Sequence, residues 1–304
     1  MKHLTLIATA CALLATFSLH AQEATLPTSD AKALAMGGLQ MTTESTSHAI
    51  YNNAALAAFS RNPLLVSSSY YHQDYIDSNG TKQTYNVYSV TGGYRVSPQS
   101  VIQGGWRQYL RGTNNRESIV DLSYSHAFND KWALGVVGRY VHQKRPDEKE
   151  IDAVAVDLSG AYIRPIENFG AYTTLRTGFK ISNLGAYLDD TDYTLPMNAT
   201  VGTALDTYIT DEHEFTLGVD MSYYFYPKTV RGYMMSVGLE YNFMQLIQLR
   251  GGYHYGERDS YYPSYGSAGV GIRFLHLRLD FAYLFAKKGT PFRDTYSLSF
   301  GLDF

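Results

Sequence analysis

From Leu64 to the last residue the chain alternates apolar with polar side chains, and this period of two is what most restricts its fold. Tyr296, Leu298, Phe300, Leu302 and Phe304 alternate with Ser297, Ser299, Gly301 and Asp303. Leu275, Leu277, Leu279, Phe281, Tyr283 and Phe285 oppose His276, Arg278, Asp280 and Ala282. Tyr233 to Phe243 and Phe215 to Phe225 repeat the pattern. Such alternation places one set of side chains on each face of a strand. It predicts strands over 64–76, 83–96, 100–110, 117–128, 131–145, 151–163, 171–182, 196–206, 213–225, 232–243, 245–255, 264–274, 275–285 and 294–304. Tight turns are expected at Asn129-Asp130, Asn242-Phe243-Met244, Ser78-Asn79-Gly80 and Lys287-Lys288-Gly289.

Two-faced strands suit either a soluble sandwich or a membrane barrel. The apolar faces here begin or end in aromatics, as from Trp132 to Tyr140 and from Tyr233 to Phe243. Aromatics at strand ends form the interfacial girdles of outer-membrane barrels, whose other face lines a polar lumen. Composition agrees. Charged residues make up 17% of the chain against about 25% in ordinary domains, while 27 residues are Tyr and mean hydropathy is only -0.23. The expected fold is therefore an all-β, transmembrane antiparallel barrel of about fourteen strands, an even number as bacterial single-chain barrels use.

The start of the chain fits export. Lys2 and His3 precede the apolar run Leu4–Phe17, and Ser18-Leu19-His20-Ala21 offers a cleavage site after Ala21. Residues 1–21 are thus expected to be a signal peptide, 22–62 an N-terminal segment and 63–304 the barrel, in a Gram-negative outer membrane with lipid as the first partner. The single cysteine, Cys11, lies in the leader, so the mature chain has no disulfide and no Cys-based metal site. A formal charge of -3 leaves no basic footprint for nucleic acid.

The inward face is expected to carry Arg107, Arg139, Arg176, Lys180, Arg250, Arg273 and Arg278 against Asp121, Asp157, Asp206, Asp220, Glu240, Asp280 and Asp303. A selective pore favours one sign. This balance suggests a charge network across a filled interior, with a weakly selective open channel as the alternative.

Residues 22–62 do not alternate. They contain Met36-Gly37-Gly38, the polar stretch Thr42 to Ser47, and Tyr51-Asn52-Asn53-Ala54-Ala55-Leu56. This pattern resembles the hatch of the FadL-like long-chain fatty acid transporter superfamily, fourteen-stranded barrels with the N-terminus folded inside. Asn53 stands where that hatch usually has Pro, and the stretch around Glu44 lacks the usual acidic pair. Within the superfamily the chain is similar to the PorV/PorQ family of type IX secretion in Bacteroidota. Leu26–Ala31, Ile181-Ser182-Asn183-Leu184-Gly185, Leu195-Pro196, Leu249–Tyr253, Leu279–Leu284 and Thr295–Phe300 carry that resemblance. It implies a hatch motif at Met36, Gly37, Gly38, Tyr51, Asn52, Ala54 and Leu56. It also implies partners among type IX components or the C-terminal domains of secreted cargo. The wider superfamily implies instead a hydrophobic small molecule. The last-strand stripe Tyr296, Leu298, Phe300, Leu302 and Phe304 resembles the signal read by the barrel-assembly machinery.

Enzyme and cofactor signals are sparse. No His-x-x-x-His, Gly-x-Ser-x-Gly or phosphate loop occurs. His126 after Ser125, and His142, are the nearest approach to a rim nucleophile and base. The loop Asp189-Asp190-Thr191-Asp192 reads as solvated rather than as a calcium site, since it lacks the Gly and closing Glu of an EF-hand. The expectation is a non-enzymatic barrel without a cofactor.

Overall fold

The computed structural model describes residues 28, 30–43, 46–76, 81–112, 115–145, 149–167, 170–191, 193–257, 263–287, 290 and 292–304. The expected signal peptide 1–21, the start of the 22–62 segment, Glu44 and the Ser78-Asn79-Gly80 turn lie outside the described residues.

Fourteen antiparallel strands form one closed barrel in sequence order. They are β1 (Leu64–Ile76), β2 (Lys82–Ser97), β3 (Ser100–Arg111), β4 (Asn115–Ala127), β5 (Trp132–Lys144), β6 (Ile151–Ile166) and β7 (Tyr172–Tyr187), then β8 (Met197–Thr210), β9 (His213–Tyr226), β10 (Gly232–Phe243), β11 (Ile247–Gly256), β12 (Tyr265–Phe274), β13 (Leu277–Phe285) and β14 (Thr295–Asp303). β14 returns to β1 with Leu65 opposite Asp303 and His72 opposite Tyr296, and Leu64 and Phe304 exchange both backbone hydrogen bonds, 2.9 and 3.1 Å. Closure removes the sheet edges that would otherwise seek a partner.

The strand boundaries that alternation missed have local causes. Residues 182–183 read as the end of a strand, yet β7 continues to Tyr187. Asn183 takes φ 60°, the β6–β7 register shifts between Val156 and Leu158, and the resulting bulge absorbs the break. β13 starts at Leu277, because Leu275, at φ 57°, and His276 form the preceding turn. Phe243 ends β10, and the turn beyond it is Met244–Leu246.

The two ends of the barrel differ. At the end where β1 begins and β14 finishes, strands join through 98–99, 128–131, 167–171, 211–212, 244–246 and 275–276. At the other, the connections are 77–81, 112–114, 145–150, 188–196, 227–231, 257–264 and 286–294. Short turns at one end and longer loops at the other are the asymmetry of outer-membrane barrels. Outward side chains such as Leu122, Leu134, Leu239, Leu249 and Ile272 are exposed. They form the belt that a bilayer covers.

A fourteen-stranded lumen is wider than its own side chains can fill, since about eight strands already suffice for that. Residues 30–60 fill part of it. They form α1 (Ala31–Ala35) and 3-10 turns at Ser47–Ile50 and Ala54–Phe59. Asp30, Thr46 and Asn53 accept from the amides of Lys32, His48 and Ala55, so each short element is capped by its own sequence. Helices this short do not persist alone in water. Packing against the wall holds them.

Candidate functional site: the plug and the lumen

The plug meets the wall where the wall has no side chain. Gly37 has φ +75° and Gly38 φ +83°, the left-handed region. A Cβ on Gly37 would sit 2.8 Å from the carbonyl oxygens of Val237 and Tyr253, and one on Gly252 would collide with the Gly37 amide. On β3 a Cβ at Gly105 would reach the Tyr51 hydroxyl at 2.5 Å. The outward partners Gly104 and Gly251 face only ordinary contacts.

Polar anchors complete the fit. The Gly37 amide donates to Ser267 Oγ at 2.9 Å, and that hydroxyl donates to Ala35 O at 2.9 Å. The Ala31 amide donates to Ser299 Oγ at 2.9 Å, and Ser125 Oγ to Ala54 O at 2.7 Å. Asn53 Nδ2 donates to Met41 O and to Gly160 O, each at 3.1 Å, while its Oδ1 caps the turn that follows. Proline could make none of these bonds, so asparagine at this position ties the plug to itself and to β6. Asn52 Nδ2 donates to Asp30 Oδ2 at 3.0 Å. Met36, Tyr51, Asn52, Ala54 and Leu56 are all buried. His48 is buried as well, and its Nε2 has no hydrogen-bond partner among the described residues. Burial pushes the His48 pKa down and the Tyr51 pKa up.

The inward charges form two networks rather than one. On one side Asp121 accepts from Arg107 Nη2 and Arg139 Nε, both at 2.7 Å, and Arg139 Nη2 reaches Asp157 at 2.9 Å. Arg139 also donates to Asn183, and the Asn183 amide donates to Asp157 at 2.8 Å. The Arg107 guanidinium lies 4.3 Å from the centre of the Tyr51 ring. Lys180 Nζ donates to Tyr51 O at 2.8 Å. On the other side Arg250 bridges Glu240 and Asp280, each at 2.5 Å. Arg278 extends the chain to Asp280 at 3.9 Å and Asp303 at 3.7 Å, and Lys32 of α1 joins Glu240 at 3.4 Å. Arg176 and Asp206 pair separately at 2.6 Å. Asp220 accepts from the amides of Gln40 and Met41 at 2.6 and 2.9 Å. Arg273 stands opposite Arg278 in the β12–β13 register.

The first network borders open space. A cavity of about 120 Å³ lies between the plug and β2–β9, floored by Tyr51, Arg107, Arg139 and Lys180. Its upper wall is mixed: Val87, Tyr109, Ile119, Val141, Tyr187 and Leu195 stand beside Glu117, Gln143 and Asn198. A second space of about 60 Å³ adjoins it, sharing Thr28, Gln40, Asn198 and Tyr224. The cavity thus sets a group of apolar side chains, interrupted by Glu117 and Gln143, against a charged floor.

Sequence reasoning missed this apolar group, although the pattern carried a trace of it. Ile119 and Val141 sit in the inward, otherwise polar phase of β4 and β5. It also missed Lys32, Asp30 and Asn53 as anchors. Ser125 and His126 face opposite sides of β4. Ser125 bonds the plug, and His126 bonds Ser100 Oγ at 2.9 Å on β3, so they form no catalytic pair. Asp189 accepts from Lys149 Nζ and the Asp152 amide, at 2.9 and 2.8 Å. Among the described residues no group of three or more His, Cys, Asp or Glu is placed to hold a metal.

No family model and no curated protein matches the sequence. Solved structures do match the fold. A TodX monoaromatic hydrocarbon channel mutant superposes with a TM-score of 0.65 at 13% identity, covering 90% of this chain and 98% of that one. The Ralstonia pickettii toluene transporter TbuX gives 0.61 at 12% identity, covering 95% and 100%. A Pseudomonas aeruginosa FadL homologue gives 0.60 at 13% identity, covering 92% and 99%. At such identities the likeness is one of fold: a closed fourteen-stranded barrel of the FadL type.

Proposed function

We propose that this chain is a non-enzymatic outer-membrane channel that takes up a hydrophobic small molecule from the long-loop end, with residues 30–60 as its gate. The observation that carries the reading is the group of apolar side chains, Val87, Tyr109, Ile119, Val141, Tyr187 and Leu195, in the otherwise polar lining above the plug. The names of the similar structures, hydrocarbon channels and toluene transporters, point the same way. The test is extraction of protein purified from native outer membrane, with the bound molecules identified by mass spectrometry. A retained apolar compound, lost in Ile119→Asn, supports the reading. Wild-type protein that binds no apolar probe sinks it.

A second reading is favoured by the size of the cavity. At about 120 Å³ it falls below the roughly 300–1,000 Å³ of most ligand pockets. A closed barrel acting through its surface, as a PorV/PorQ-like component of type IX secretion, fits that closure. Co-purification with type IX subunits or cargo C-terminal domains supports this second role, and their absence from a native pull-down removes it.

We assign Tyr296, Leu298, Phe300, Leu302 and Phe304 to recognition by the barrel-assembly machinery. Phe304 also completes the β1–β14 seam through its bonds to Leu64. Deleting Phe304 is expected to lower outer-membrane abundance more than it lowers the urea resistance of protein already folded. Full abundance would reduce the stripe to lipid-facing surface.

A further inference from the structure

The tight-turn end is not uniform around its circumference. The tips 98–99, 128–131 and 211–212 are Pro-Gln, Phe-Asn-Asp-Lys and Asp-Glu, polar but for Phe128, which is 61% exposed where β4 ends. Two neighbouring tips are different. Between β10 and β11 the tip is Met244-Gln245-Leu246, and between β12 and β13 it is Leu275-His276. Leu275 is 86% exposed and Met244 54%. Their backbones are left-handed, with φ 57° at Leu275, 54° at Met244 and 55° at Gln245. Asn and Gly occupy that conformation at least cost, and a bulky apolar residue there is an outlier. These positions therefore carry Leu and Met against both backbone preference and exposure to water.

The tips form one continuous row. The Arg273 amide donates to Leu246 O at 2.8 Å, which ties the first tip to the end of β12. The Asp303 amide donates to His276 O at 2.9 Å, and His276 stacks on Phe304 at 5.2 Å, which ties the second tip to the C-terminus. Ile247, Phe274, Ile272 and Leu249 carry the exposed apolar surface from the tips into the lipid belt without a charged interruption.

We propose that the tips Met244–Leu246 and Leu275-His276 are immersed in the leaflet at the tight-turn end, so that the β10–β14 sector sits deeper in the bilayer than the β2–β9 sector. Lipid is the occupant because the patch is a direct extension of the surface that lipid already covers. The barrel is in consequence tilted. The side anchored deepest is also the side whose lumen is sealed by α1 and the Arg250 network. The proposal rests on the membrane reading of the barrel, and a mid-belt control separates the two.

Because the mature chain lacks cysteine, single-cysteine variants report cleanly. Leu275→Cys, Met244→Cys, Asp211→Cys, Asn129→Cys and the mid-belt Leu239→Cys would carry an environment-sensitive fluorophore in phosphatidylcholine–phosphatidylglycerol vesicles. Quenching by a nitroxide on the lipid acyl chain is then compared with quenching by aqueous iodide. The expected result is lipid quenching at Leu275, Met244 and Leu239, severalfold above that at Asp211 and Asn129, with iodide showing the reverse order. Leu275 and Met244 behaving like Asp211 while Leu239 stays lipid-quenched would overturn the tip proposal. Protection of the tips from both quenchers would overturn it in favour of contact between copies. An iodide-accessible Leu239 would overturn the membrane reading itself.

Discussion

The two ion networks on the inner wall use the same residue types for opposite ends. The Arg250 network has its guanidinium fully buried between two carboxylates and roofed by Lys32 of α1. The Arg107–Asp121–Arg139–Asp157 network borders a cavity, and Asp121 keeps two arginines. Buried ion pairs are costly to desolvate and more costly to break, whereas a network beside solvent can be rescued by water. One side of the lumen is thus closed by charge, and the other presents neutralised charge as the floor of a binding space.

The largest effect is expected from Arg250→Ala. It removes the 2.5 Å partner of Glu240 and Asp280 in a dry site, leaving them the longer contacts to Lys32 at 3.4 Å and Arg278 at 3.9 Å, and should cost about 3–5 kcal/mol of stability, read as the urea midpoint of the purified barrel. Arg107→Ala leaves Asp121 paired to Arg139 and opens on the cavity, so about 1–2 kcal/mol is expected there. Equal losses in the two variants would erase the distinction between sealed and open sides. Ile119→Asn tests the cavity alone. It should weaken binding of an apolar probe about tenfold or more, the equivalent of about 1.4 kcal/mol, with the urea midpoint little changed.

Acidity should loosen the plug. Burial, the largest influence, pushes the His48 pKa down, and the charges of Asp30 in the plug and of Arg278, Asp280 and Asp303 on the wall act on it more weakly. The folded state therefore binds the proton less well than the released one. Stability from this group is complete above the ordinary histidine pKa and declines as pH falls below it. Protection of the amides of residues 46–60, measured against the intrinsic exchange rate at each pH, should fall between pH 7.5 and 5, and His48→Gln should flatten that dependence. An unchanged slope in the variant would assign the effect elsewhere. The smallest effect is expected from Tyr51→Phe, which removes a hydroxyl donating to Trp106 O at 3.3 Å and should cost about 0.5–1.5 kcal/mol.

Much of the fold was legible because period two is preserved where lipid faces one side and water or plug the other. Strand number and the inward phase of Arg107, Asp121, Arg250 and Asp280 followed from that alternation alone. The boundaries that failed, at Asn183 and Leu275, lie where a positive φ lets a strand bulge or turn without glycine. The partition of the charges was not legible, because register across non-neighbouring strands decides which carboxylate meets which arginine. Nor was the role of Asn53. It stands where the hatch pattern usually has Pro, and its side chain supplies three bonds that proline lacks.

The central claim is that the plug closes the lumen and leaves a cavity of about 120 Å³ on the β2–β9 side, with a smaller space of about 60 Å³ adjoining it toward β10–β12. Single-channel recording in planar bilayers tests it most directly, comparing the full mature chain with a variant lacking residues 30–60. The account predicts a nearly silent full chain and a large, steady ohmic conductance in the deletion. A full chain conducting as strongly as the deletion would contradict it.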